Sequence, residues 1–141
     1  MLFAAMLEGE NLDRYWPMIE KSLSAMPEIW ETTTLADIYE RVTARRMQIW
    51  AVGNETEIEL VFATQVVPQP AVKTLQVLVG FGKNLDDYWS FLLSRVEEIA
   101  KGFSCEEVEI STMRWGMVRK LQGAGYRIRN ISVVKHVGSV Q

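Results

Sequence analysis

A strand-like run, Lys73-Thr74-Leu75-Gln76-Val77-Leu78-Val79, leads through Gly80-Phe81-Gly82-Lys83-Asn84 into a long amphipathic helix. This order can hold an anion, because the first backbone N–H groups of a helix lack partners and sit at the positive end of its macrodipole. Two glycines are fewer than a phosphate-cradling loop usually carries, so an ordinary strand-to-helix turn is the competing reading. Triad and transition-metal chemistry have little to draw on, since His136 is the single histidine and Cys105 the single cysteine. Carboxylates alone can still hold a hard cation. The acidic pairs Asp86-Asp87, Glu97-Glu98 and Glu106-Glu107 are adjacent, however, so their side chains diverge on a helix or strand, and no metal site is expected.

The elements that must position this turn are legible from periodicity. Apolar Met1 to Leu7 lacks a basic flank and is too short for a secretory signal, so it reads as a first strand. Leu12, Tyr15, Trp16, Ile19 and Leu23 recur at helical spacing over residues 12–25, with Pro17 pushing the regular start towards Arg14. Thr34-Leu35-Ala36-Asp37 resembles a capping box, and Leu35, Ile38, Tyr39 and Val42 make the buried stripe of a second helix ending near Arg46.

Residues 47–52 and 57–67 read as a hairpin around Gly53-Asn54-Glu55. Pro68-Gln69-Pro70 then returns the chain into residues 72–79, a near-continuously apolar central strand. The third helix spans residues 85–101, with Asn84 as cap, Asp86 and Asp87 in its first turn and Gly102 just beyond its end. A strand over 105–111, a short helix through Met117, Val118 and Leu121 stopped by Gly123-Ala124-Gly125, and a strand over 126–137 complete the chain.

Composition sets the outer limits. The 141 residues, 48% of them hydrophobic, read as one domain spanning 1–141 with a packed core. A net charge of −3 does not favour nucleic acid as the main partner. No apolar run reaches the roughly 20 residues that span a bilayer. Cys105 reads as a small buried hydrophobe in a reducing compartment. Among five tryptophans, Trp16, Trp50 and Trp89 fall on or beside apolar faces, whereas Trp30 and Trp115 fall in connections, where they cap a core edge or meet a partner.

The order of elements resembles the GNAT superfamily of N-acetyltransferases. The run Arg114-Trp115-Gly116-Met117-Val118-Arg119-Lys120-Leu121-Gln122-Gly123-Ala124-Gly125-Tyr126-Arg127 is similar to the last helix and its exit in short GNAT-like proteins encoded by bacteriophages. Asp37-Ile38-Tyr39 followed by Gln48-Ile49-Trp50-Ala51-Val52 resembles the opening of the same group. The likeness implies an α+β fold with a mixed, mostly antiparallel sheet of six to seven strands flanked by about four helices. It also implies acetyl-coenzyme A as cofactor, its pyrophosphate held by Val79, Gly80, Gly82, Lys83 and Asn84. A base for an amine acceptor would come from the central strands, with Glu57, Glu59 and Gln65 the nearest candidates.

Two departures stand against activity. Phe81 and Asn84 occupy positions where the family places small residues in its phosphate loop. Leu121 stands where many members carry a tyrosine acid. The resemblance therefore implies a catalytically degenerate protein that needs no cofactor and binds other proteins in a phage particle or its assembly, in the virion or the host cytoplasm. An acyl-coenzyme A-dependent N-acetyltransferase is the alternative. For binding, the contact residues would be Trp30, Arg114, Trp115, Arg119, Lys120, Arg127 and Arg129, since Trp and Arg dominate interface hot spots. A solvated helix and strand end explains the basic set equally well.

Overall fold

A computed structural model describes residues 2–24, 33–54, 56–79, 85–112, 114–135 and 137–138. Trp30, Gly80, Gly82, Lys83, Asn84 and His136, named above, lie outside the described residues, as do Phe81, Ala25 and Glu55. The chain divides into two units, residues 1–111 and 112–141.

The first unit contains β1 (Phe3–Leu7), α1 (Glu10–Ser24), α2 (Leu35–Thr43), β2 (Gln48–Gly53), β3 (Ile58–Pro68), β4 (Lys73–Val79), α3 (Leu85–Gly102) and β5 (Glu107–Ile110). Helix α1 starts four residues earlier than Pro17 alone would suggest, opening with Asp13 N–H donating to the Gly9 carbonyl, and it carries Pro17 inside. Buried Leu12 and Ile19 flank the proline and hold the helix to the sheet, which overrides the lost backbone bond. At α2 the capping residue is as expected: Thr34 is extended and its Oγ1 accepts from Asp37 N–H at 3.1 Å.

The strands lie in the order β1-β2-β3-β4-β5, antiparallel throughout except for the last, parallel pair. Side chains alternate between two cores. On one face Ile49, Ala51, Val61 and Ala63 pack with Leu12, Ile19, Ile38 and Val42 of α1 and α2. On the other, Val52, Leu60, Phe62, Leu75 and Val77 pack with Leu92, Val96 and Ala100 of α3. Trp16 meets Tyr39 edge-on at 4.9 Å in the first core, and Trp50 stacks on Phe62 in the second, so both serve packing. Half-buried Cys105 packs against the second core as a small hydrophobe.

The hairpin between β2 and β3 needs Gly53 for space, since a Cβ there would lie 2.2 Å from the Glu57 carbonyl oxygen. Asn54 Oδ1 closes the turn by accepting from Thr56 N–H and Glu57 N–H. Just beyond it, Val52 pairs with Leu60 and Gly53 with Ile58, leaving Glu59 as the extra residue of a β-bulge.

The second unit begins with α4 (Trp115–Gly123). It stops as expected: Gly125 takes a φ of 94°, and the Tyr126 N–H donates back to the Leu121 carbonyl. The strand expected over 126–137 does not form. The described residues there take no regular element, and the sheet has five strands among the described residues rather than six or seven. Ile131, Val133 and Val134 are exposed there, so no buried side fixes a register.

Candidate functional site

The parallel ladder between β4 and β5 runs from Thr74–Glu107 to Val77–Ile110 and stops there, while β4 continues to Val79 on its pairing with β3. β5 ends at Ile110, so beyond Val77, among the described residues, β4 has β3 as its only strand neighbour. A strand edge that runs past its neighbour in this way can present backbone amides to an extended, amide-bearing ligand, as in β-augmentation. Helix α3 follows at the same end of β4 and spans 18 residues, so its N-terminus supplies the dipole end that favours an anion.

Polar side chains cross the sheet next to this end of the ladder. Arg41 on α2 lies 3.1 Å from Asp37 and its Nη1 donates to Gln65 Oε1 at 3.5 Å. Gln65 Nε2 donates to Gln76 Oε1 at 2.7 Å, and Gln76 Nε2 donates to Glu109 Oε1 at 3.0 Å. The Thr74 hydroxyl donates to Glu107 at 2.9 Å on the same face. Glu109 pairs with Gln76 one rung before the last of the ladder, Val77–Ile110.

The base candidates from the sequence are thereby separated. Gln65 is a link in this row and, as an amide, accepts no proton at neutral pH. Glu57 is exposed and sits in the hairpin turn, and Glu59 is the bulged residue. Both precede Phe62, which pairs with Val79, so they lie past the end of the β3–β4 ladder rather than beside Val77. Half-buried Tyr88, in the first turn of α3, has its hydroxyl held above the ordinary value by burial, by charge and hydrogen bonding from Glu59, and by Asp87 and Glu57. Val79 ends β4, while Gly80, Gly82, Lys83 and Asn84 lie outside the described residues.

Gln76, Glu109, Arg41 and Tyr88 are absent from the sequence-derived set. A signal for the first two existed, because Thr74 and Gln76 on one strand and Glu107 and Glu109 on the next alternate at period two, which puts each pair on one face. Of the contact set, Arg114, Trp115, Arg119, Lys120, Arg127 and Arg129 all belong to the second unit. Trp115, at the start of α4, is 60% exposed, and Arg119, Lys120, Arg127 and Arg129 are exposed as well. No described helix is long and apolar enough to cross a membrane.

No family model matches the sequence, and no curated protein matches it either. Solved structures do match over nearly the whole chain. A predicted acetyltransferase with acetyl-CoA from Clostridium acetobutylicum aligns with a TM-score of 0.68 at 8% identity, covering 96% of each chain. A glucosamine-6-phosphate N-acetyltransferase from Arabidopsis thaliana gives 0.67 at 12%, covering 98% of this chain and 99% of that one. A transcriptional regulator from Bacillus halodurans gives 0.70 at 13%, covering 97% and 100%. The fold is that of the GNAT acetyltransferases, a mixed α+β arrangement whose described residues form four helices and a five-stranded sheet.

Proposed function

We propose that this chain is an acyl-coenzyme A-dependent N-acyltransferase. The observation that carries the reading is that β4 runs past the last β5 rung, Val77–Ile110, to Val79, with α3 starting at Leu85. The edge of β4 would receive the amide-bearing arm of the cofactor, and Val79, Gly80, Gly82, Lys83 and Asn84 would hold its pyrophosphate. Acetyl-coenzyme A would supply the acyl group as a thioester. Glu109, at the head of the row through Gln76 and Gln65, is the carboxylate that would orient a basic amine acceptor, and proximity would supply much of the rate. The solved neighbours named as acetyltransferases support this reading.

Calorimetric titration with acetyl-coenzyme A tests it, repeated on a Gly82→Trp variant. Micromolar binding that the variant loses is the expected result. No heat at millimolar ligand would sink it. A second reading rests on Trp115, a large aromatic left 60% exposed beside exposed Arg119 and Lys120. It is a degenerate GNAT-fold protein that binds other proteins, in a phage particle or its assembly, and failure of the titration would leave it standing.

A further inference from the structure

One row of the sheet is polar where the row beside it is apolar. On the face packed by α1 and α2, Ile49, Ala63 and Leu78 stand side by side across β2, β3 and β4. Two residues further along β3, Gln65, Gln76 and Glu109 stand side by side across β3, β4 and β5, all half-buried. Such a row costs desolvation unless its groups are bonded, and aliphatic side chains would pack the place without that cost. The β2–β3 pairing ends at Gln48–Thr64, so Gln65 has no β2 partner among the described residues. Arg41 reaches it instead from the last turn of α2. The guanidinium is itself held from behind, by Asp37 Oδ2, which also accepts from the Thr33 hydroxyl at 2.7 Å.

This row has a direction. Each glutamine amide could turn either its oxygen or its nitrogen towards β5, and the two charged ends decide between these. A guanidinium only donates and an ionised carboxylate only accepts. Arg41 Nη1 takes the Gln65 oxygen, which turns Gln65 Nε2 to the Gln76 oxygen and Gln76 Nε2 to Glu109 Oε1. Reversing both amides would oppose two donors at Arg41 and two acceptors at Glu109.

We propose that Arg41 and Gln65 are positioning residues for Glu109: acting through Gln76, they hold its carboxylate in one orientation towards a basic amine acceptor. This rests on the reading of Glu109 as the carboxylate that orients the amine. Neither Arg41 nor Gln65 has to touch the acceptor. A cation on α2 thereby bears on a carboxylate of β5 through two amides, as a supporting shell fixes the group that meets a substrate.

Nitrogen-15 NMR of the full chain, with no cofactor or acceptor added, reads the direction of the row from the Gln76 side-chain amide. Its signal should move in Glu109→Gln, which removes the charged acceptor, and also in Arg41→Met, although Arg41 does not touch Gln76. Arg41→Lys keeps a donor and a charge and should return the signal towards its original place. Gln65→Glu offers Gln76 a carboxylate on the wrong side, which should reverse its amide and turn its oxygen to Glu109. With acetyl-coenzyme A and spermidine as the probe amine, thiol release should show kcat/KM for the amine about tenfold lower in Gln65→Glu, while KM for acetyl-coenzyme A is unchanged. Gln65→Leu breaks the same bonds without reversing the amide and should lose less. A Gln76 signal indifferent to Arg41→Met and Gln65→Glu overturns the inference, as do equal losses in Gln65→Leu and Gln65→Glu. A wild-type chain that binds no acetyl-coenzyme A overturns the transferase reading itself, and with it the role of Glu109, whatever the NMR signals show.

Discussion

Trp50 Nε1 donates to Thr64 Oγ1 at 3.0 Å, joining β2 to β3 through two side chains on the face that α3 covers. Thr64 is 1% exposed, and its hydroxyl in turn donates to Gln48 Oε1 at 2.8 Å. A buried hydroxyl that both accepts and donates fixes its neighbours more firmly than either bond alone. Thr64→Val keeps the shape and leaves Trp50 Nε1 without its acceptor. A loss of about 1–3 kcal/mol in denaturant unfolding is expected, with Trp50 fluorescence altered, and Thr64→Ser should recover most of the loss.

Gly53 makes a second prediction. Any Cβ there meets the Glu57 carbonyl oxygen at 2.2 Å and Ile58 Cα at 2.9 Å, both backbone atoms that cannot swing aside. Gly53→Ala should therefore destabilise the hairpin by about 3 kcal/mol, read from a thermal melt, and disturb the bulge at Glu59. An unchanged midpoint would show that the turn is free to open.

Tyr39 donates to Asp13 Oδ1 at 2.7 Å, and this bond, then the Asp13 charge, then burial hold the phenol above its ordinary value of 10.0. The phenol is favoured in its neutral form when folded, so the contribution is complete below pH 10.0 and is lost as pH rises through the higher folded value. Tyrosinate absorbance should show a group titrating late. Asp13→Asn should bring that group back to lower pH, because it removes the charge that opposes ionisation.

The row from Gln65 to Glu109 predicts coupling. Gln76→Leu removes an acceptor from Gln65 and a donor from Glu109, and it should cost about 1–2 kcal/mol in denaturant unfolding. Combined with Gln65→Leu the losses should fall short of additive by about 0.5 kcal/mol or more, since the two amides share one bond. Strict additivity would mean that the row is not continuous.

On the proposed reaction, Glu109→Gln should lower kcat/KM for the amine about tenfold or more while acetyl-coenzyme A affinity stays as it was. Equal loss of cofactor affinity would place Glu109 on the wrong side of the site.

Much of this architecture is legible in the sequence. Helical and two-residue periodicities located α2, β2, β3, β4 and α3 within a few positions, because apolar spacing is what the two cores demand. Pro17 misled at α1, since Leu12 and Ile19 outweigh one missing backbone bond. Residues 126–137 misled in the opposite way, because β-branched residues alone do not make a strand without a neighbour. The site was less visible. Val72 to Val79 reads as apolar, and Thr74 and Gln76 gain meaning only when parallel pairing brings them level with Glu107 and Glu109, 33 residues further on. Nothing in local spacing announces a contact made at that distance along the chain.

The five strands act as a wall between two chambers that share backbone and no side chain. The chamber beneath α3 is lined by Phe62 and Val77, and the other by Ile38 and Ala63. A lineage carrying this fold can thus alter one chamber while the other stays fixed. Solved neighbours at 8–13% identity align over 96–98% of the chain, so a shared frame survives with few residues in common.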